Sequence, residues 1–453
     1  MRQRPLQVIA LLAAAGCLTL SQARPAHAQT SRLEPNSVKR YMFDCATPKE
    51  AAAELKKREI TPLETIPGPK PGGSSIFKAR FANGLEIPYV IENTDGRFYI
   101  YAELRRPQYP IPPIPYVEQE VVFDNPEAKL SFVGTLTVPH GSGPFPGVVL
   151  VAGTGAHTRD EVVSLHKIFL VLADGLTRHG MAVLRFDKRG VGLSGGKPFP
   201  ESTTDDNASD ARAAVRFLRI QPGIDPARVG LVGHSEGGII APLVAAGNPE
   251  VAFIVLLAGT GLPGLEVQVL QDAAGAKAAG ADEKTLRATE KLDRAIFPIV
   301  VATKDKTEAM KKMHAAERAI LTADERKLLG IPEAGLPDEA YEGLLTPWFR
   351  RFLELDPRPV LEKVTCPVLA INGGKDLQVL ADENLAGIER ALAKGGNNRV
   401  TIKKLPGINH MFQTAPIGSG NEYRNIEETF ASAALELISH WILETMRLAP
   451  GTF

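Results

Sequence analysis

The 453-residue sequence carries no excess of charge of either sign: 52 lysines and arginines stand against 52 aspartates and glutamates. Such a balance offers no electrostatic footprint for nucleic acid or an anionic membrane, so neither is expected as a partner. No stretch reaches the about 20 apolar residues of a spanning helix, which excludes a membrane span. Metal spacings of the His-Glu-x-x-His or paired-cysteine kind are missing, so no metal motif of those kinds is present. Cysteine is scarce as well. Of three, Cys17 falls in an N-terminal leader, leaving Cys45 and Cys366, too few for a disulfide framework. Cys366 heads an apolar strand and reads as a buried thiol, with a single bridge to Cys45 as the alternative.

What is present begins with that leader. Arg2 and Arg4, an apolar run over residues 8–20 and Ala26-His27-Ala28 before Gln29 form the charged, hydrophobic and small-residue parts of a secretory signal. Residues 1–28 are therefore expected to be removed on export to the periplasm or medium. Ala14-Ala15-Gly16-Cys17 only faintly matches a lipoprotein site, because Leu18 and Leu20 carry the apolar run past it.

Residues 29–115 read as a small α+β module. Thr47-Pro48-Lys49-Glu50 is a capping box with proline at the first helical position, starting a helix to about Arg58. Strand-like runs at 76–81, 86–91 and 97–104 are separated by Asn83-Gly84 and Asp95-Gly96, strong hairpin dipeptides, giving a three-stranded meander. A proline-rich linker from Arg106 to Pro115 closes the module, which shows no catalytic set.

From Tyr116 the pattern changes. An antiparallel pair at 117–123 and 130–138 leads into alternating apolar strands (148–151, 182–186, 229–232, 251–257) and helices (161–179, 206–218). That alternation means a mostly parallel sheet with helices on both faces, over residues 116–260 and again over 357–453. Between them, residues 261–356 hold charged, alanine-rich helical stretches (284–296, 304–320, 338–355) broken by Pro298, Pro332 and Pro337, and read as a helical cap. The sheet resumes at 368–371 and 400–405, and a long helix over 426–446 ends the fold.

The stretch with chemistry in it is Val229-Gly-Leu-Val-Gly233-His234-Ser235-Glu236-Gly237. A β-branched strand meets a sharp glycine turn and then an apolar helix, the geometry that pushes a serine hydroxyl out at a strand's carboxyl end. A second match to the same letters, Gly192-Leu193-Ser194-Gly195-Gly196, is followed by Lys197-Pro198-Phe199-Pro200, where no helix can start, so Ser194 reads as a loop residue. A serine nucleophile needs a base, and the base an orienting carboxylate. Asp376 and His410 each follow an apolar strand through a short turn and so reach the same rim as Ser235. Asp382 and Glu383 are alternative acids. Among rival histidines, His314 sits on a charged helix face, His440 lies in the last helix, and His234 should point away across the elbow. The oxyanion donors are expected to be the backbone N–H groups of Glu236 and of Thr154, with Gly153 a near alternative. The glycines of 152–156 do not form a dinucleotide fingerprint, because its third glycine would fall at Thr158.

Taken together, Phe186-Asp187-Lys188-Arg189-Gly190-Val191-Gly192-Leu193-Ser194, the elbow from Gly233 to Gly238, Asn372 to Asp376 and Asn409-His410 resemble the α/β-hydrolase superfamily. The nearest resemblance is to bacterial esterases and serine-aminopeptidase-like hydrolases with an extra N-terminal domain. It covers residues 116 to the end and implies a cofactor-independent serine hydrolase with the triad Ser235, Asp376, His410. It also implies that residues 187–194 border the active site. Many relatives have His-Gly at the start of the oxyanion loop, whereas this chain has Ala152-Gly153. The leading expectation is hydrolysis of a small carboxylic ester through an acyl-enzyme. Aminopeptidase or thioesterase chemistry with the same residues is the alternative, the former requiring acids such as Glu266, Glu342 or Glu354 in the cleft. A non-catalytic binding protein is the remote one. Substrate identity and oligomeric state are not legible.

Overall fold

The computed structural model describes residues 43–447 except 58, 72–73, 82–85, 95, 102–106 and 425. The expected leader over 1–28, the faint lipoprotein match at Cys17, the Asn83-Gly84 dipeptide, Asp95 and the start of the expected linker at Arg106 lie outside the described residues.

In the N-terminal module, β1 (Phe43–Cys45), α1 (Pro48–Lys57), β2 (Ile60–Pro62), β3 (Ser74–Phe81), β4 (Glu86–Thr94) and β5 (Arg97–Tyr101) build an antiparallel sheet of order β1-β5-β4-β3-β2. It has five strands where the sequence suggested three. The two extra strands are three residues long, too short to show alternation. The α1 start is capped as expected: Thr47 Oγ1 accepts the Glu50 N–H at 3.2 Å, and Glu50 Oε2 accepts the N–H of Ala46 at 2.9 Å. Ala51 and Leu55 of α1 pack on Phe77, Tyr89, Ile91 and Ile100 of the sheet.

The main body runs β6 (Tyr116–Asn125), β7 (Leu130–Pro139), β8 (Phe145–Val151), β9 (Val162–Val163), β10 (His166–Lys167), α2 (Ile168–Arg178), β11 (Ala182–Phe186), α3 (Thr204–Arg219), β12 (Ile224–His234), α4 (Gly237–Ala245) and β13 (Ile254–Leu257). After the cap come β14 (Val368–Gly373), α12 (Ala381–Lys394), β15 (Val400–Leu405), α13 (Gly420–Tyr423) and α14 (Ser432–Arg447). Eight strands form one sheet of order β15-β14-β13-β12-β8-β11-β7-β6, parallel from β15 to β11 and antiparallel at β7 and β6.

Side chains alternate between two buried layers. Val229, Leu231, Val149, Val151, Val368 and Ala370 join one cluster; Val232, Val148, Leu150, Leu369 and Ile371 join the other. Period two with both faces covered is what a parallel sheet between helices requires, each buried Val, Leu or Ile contributing about 1.5–3 kcal/mol. The register brings Val151 beside Gly233, His234 beside Leu257 and Gly373 beside Leu405, so the strands end along one edge. Ligands of such sheets bind there.

The insertion holds α5 (Gly264–Ala278), α6 (Glu283–Ala302), α7 (Lys306–Ile320), α8 (Ala323–Leu329), α9 (Glu339–Glu342), a 3₁₀ turn (Gly343–Leu345), α10 (Pro347–Glu354) and α11 (Arg358–Leu361). It has its own apolar cluster around Phe297, Tyr341, Trp348 and Phe349. Pro298 does not break a helix but sits inside α6. Burial of its neighbours Ile296, Phe297 and Val300 outweighs one missing N–H. The expected helix over 161–179 starts only at Ile168. Glu161, Ser164 and Leu165 all have positive φ, and Val162–Val163 pairs with His166–Lys167 in a small hairpin instead. Cys45 and Cys366 are both buried and not bridged to each other, and burial pushes the Cys366 thiol up to about 12.

Candidate active site

Ser235 stands between β12 and α4 with φ +55°, a left-handed conformation for a non-glycine residue. Its N–H donates to Leu257 O at 2.8 Å and its C=O accepts from Gly238 N at 2.8 Å, so neighbouring backbone fixes the turn. The flanking glycines are obligatory. A Cβ at Gly233 would lie 2.0 Å from Gly237 O, and one at Gly237 would lie 2.0 Å from Val151 O.

His410 and Asp376 meet as their strand-end placement suggested: His410 Nδ1 is 2.8 Å from Asp376 Oδ2, with both side chains buried. Asp376 Oδ1 also accepts the N–H groups of Gln378 (2.8 Å) and Val379 (2.9 Å). A carboxylate only accepts, so Nδ1 carries the hydrogen and Nε2 is left with a lone pair. Asp382 is instead held by Lys404 at the surface. Ser235 and His410 line one cleft, of about 920 Å³ with its open mouth included. Among the described residues no hydrogen bond joins them, a looseness common before substrate enters.

His234 has a use the sequence did not reveal. Its Nδ1 lies 3.0 Å from Glu161 Oε1 and its Nε2 2.9 Å from the backbone O of His410. Both partners are acceptors, so both ring nitrogens donate and the ring is an imidazolium. Burial alone would lower its pKa, but the Glu161 carboxylate reverses this and raises it. Burial likewise favours the neutral form of Glu161, and the His234 charge overrides it, lowering the Glu161 pKa. This buried pair ties the loop of His410 to the elbow.

The loop after β8 is held from three sides. Glu161 Oε1 accepts the N–H of Gly153 at 2.6 Å, which removes Gly153 as an oxyanion donor. Lys188 Nζ donates to Gly153 O at 2.8 Å, setting the peptide plane whose N–H belongs to Thr154. The His157 ring donates from Nε2 to Thr154 O at 2.6 Å. Burial lowers the His157 pKa, keeping that ring neutral. Lys188 Nζ also lies 3.4 Å from Glu236 Oε2. Glu236 Oε1 accepts from Thr204 Oγ1 and from Trp348 Nε1 of the cap, each at 2.8 Å. Among the described residues, no acceptor is bonded to the N–H of Thr154 or of Glu236. Glu161, Lys188 and the Glu236 side chain thus escaped the sequence reading, although Lys188 lies inside the Phe186–Ser194 motif.

Ser194 is elsewhere: its Oγ accepts the Val133 N–H at 3.1 Å, 7 % exposed and outside the cleft lining. His314 bonds Asp338 on the cap at 2.6 Å. The cleft wall is mostly apolar and aromatic, with Phe199, Ile239, Val267, Trp348, Phe352 and Met411, relieved by Gln268, Gln271 and Gln378. Neither Glu266, Glu342 nor Glu354 reaches it, and Glu266 is bound to Arg294.

The sequence pattern of the alpha/beta hydrolase family runs through residues 148–418, more than half the chain. The chain belongs to the alpha/beta hydrolase family. It is a hydrolase of small molecules with the fold that membership implies. This hydrolase is 27% identical over 339 residues to Esterase EstD of Thermotoga maritima, covering 74% of this chain and 71% of that protein. It is 35% identical to Thiohydrolase aneE of Aspergillus aculeatus over 139 residues, 29% of this chain and 42% of that one. Similar solved structures include alpha/beta hydrolase GrgF from Penicillium sp. sh18 (TM-score 0.44, 14% identity, 73% of this chain and 98% of that one). Another is the Pyrococcus furiosus esterase Pf2001 (TM-score 0.42, 15% identity, 73% and 93%).

Proposed function

We propose that this hydrolase is a serine carboxylesterase. Ser235 attacks the ester carbonyl while His410 Nε2 takes the hydroxyl proton. Asp376 holds the ring in the required tautomer and steadies the imidazolium that forms. The N–H groups of Glu236 and Thr154 stabilise the oxyanion, each worth about 2.7–4 kcal/mol. His410 returns the proton to the leaving alkoxide, and water then enters by the same base to release the acid from Ser235. The observation that carries this reading is the 2.8 Å His410–Asp376 contact opening, through Nε2, onto the cleft that Ser235 lines. The likeness to Esterase EstD agrees with it.

A thioester passes through the same intermediates, and the segment shared with a named thiohydrolase keeps it as the second reading. Aminopeptidase action has no comparable support. A substrate ammonium needs an uncommitted carboxylate, whereas Glu161 is paired with His234 and Glu236 with Lys188, Thr204 and Trp348. The test is p-nitrophenyl acetate turnover by Ser235→Ala, expected to fall by at least ~10³-fold. Undiminished turnover by that variant overturns the proposal. A parallel assay with an acyl thioester separates the two readings by their kcat/KM ratio.

A further inference from the structure

Outside the cleft, α2 and α14 pack together at Gly175, where a Cβ would stand 2.5 Å from Leu435 Cδ2. The missing side chain lets the two helices approach. One turn beyond Gly175, His179 caps the end of α2. One residue beyond Leu435, Glu436 faces it, and His440 follows at the i+4 position on the same face of α14. His179 Nε2 lies 3.3 Å from Glu436 Oε2, and His440 Nε2 lies 3.5 Å from the same oxygen. All three donor atoms fall within 4.8 Å of one another. None of the three residues lines the cleft.

The tautomer of His179 is fixed. Its Nδ1 is 2.8 Å from Gly175 O, which can only accept, so Nδ1 bears the hydrogen and Nε2 is the ring atom turned toward the carboxylate. At 3.3 Å, Nε2 and the carboxylate oxygen can share a cation between them. A proton is one choice and a metal ion the other. In a tetrahedral zinc site with metal–ligand distances of about 2.0–2.1 Å, donor atoms stand roughly 3.3–3.4 Å apart. The two His–Glu separations match that edge. The bond from Nδ1 to a backbone carbonyl is also the support that metal-bound imidazoles characteristically have.

We propose that His179, Glu436 and His440 form a surface site for a divalent transition metal of the zinc class. The ion joins the end of α2 to α14 through three protein ligands, with water in the fourth position. The sequence showed no metal spacing because only Glu436 and His440 are neighbours, the third ligand lying 257 residues earlier. This proposal is independent of the esterase reading, since heat and melting temperature report it rather than turnover.

The experiment titrates zinc chloride into the metal-stripped full chain by calorimetry at pH 7.5. One ion per chain is expected, with Kd of order 10 µM or tighter, and binding at least ~10-fold weaker in Glu436→Gln and His440→Ala. Saturating zinc should raise the wild-type melting temperature by roughly 2–4 °C and leave both variants unmoved. These residues are surface-exposed, so the variants should fold. Equal binding by His440→Ala, or the lack of any saturable binding, overturns the site. Binding lost in His410→Ala but kept in His440→Ala moves the ion to the cleft and overturns it as well.

Discussion

At the rim of the sheet, Glu161, His234, Lys188 and Glu236 are all buried and lie in opposite-charge pairs with further hydrogen bonds. In the cap, α5 and α6 bury Asp272 and Asp293 without a cation. Asp272 receives one bond, from Gln268 Nε2 at 3.1 Å, and Asp293 Oδ2 has no partner among the described residues. Burial pushes Asp272 to about 7. Burial, with the charge of Asp272 added, pushes Asp293 well above the carboxylate range. Where atoms must stay in position for chemistry, charge is kept and paired. Between α5 and α6, where Asp272 and Asp293 are buried without such a partner, burial favours the protonated acids instead.

The sharpest way to break the rim is to spoil the tautomer on which the proposed mechanism depends. Asp376→Asn keeps the shape but lets the amide donate toward Nδ1, and kcat on p-nitrophenyl acetate is expected to fall about 10⁴-fold. Next comes the support of the loop after β8. Lys188→Met frees the Gly153 carbonyl, so kcat is expected to fall roughly 10²- to 10³-fold with KM nearly unchanged. Adding Glu236→Gln relieves the unpaired carboxylate. The double variant should regain melting temperature but not kcat, which separates positioning from folding.

The smallest effect lies in the cap and has a pH sign. The folded-state pKa values of Asp272 and Asp293 lie above the unfolded value of about 3.9. The protonated form of Asp272 therefore lends stability that is complete below pH 4 and is lost as pH rises through about 7, and that of Asp293 carries the same sign. Asp293→Asn removes one of the two titrations. It should melt a few degrees above wild type at pH 8 and level with it at pH 4, by thermal scans in matched buffers. A constant difference across that range would erase the contrast between cap and rim.

The elbow was legible because a β-branched strand, two glycines and an apolar helix leave one backbone path. Asp376 and His410 were legible because short turns after buried strands can only reach one edge. Glu161 was not, since the residues around it also fit the first turn of the helix that follows. Its position depends on a hairpin turn with positive φ at Ser164 and Leu165. Lys188 was hidden for a different reason. A lysine in a glycine-rich loop is ordinarily solvated, and only the folded β8 loop supplies the carbonyl that draws it inward. The edge strands of the N-terminal module and the passage of α6 through Pro298 were fixed by packing that local pattern does not encode.

His234 stands next to the serine in the chain and within 5.0 Å, ring to ring, of His410. Bolted between a carboxylate and a carbonyl, it has no lone pair to lend and no freedom to swing. His234 therefore cannot stand in for the base that the proposal assigns to His410, however near it lies, and a chain deprived of the imidazole at 410 must take its base from elsewhere.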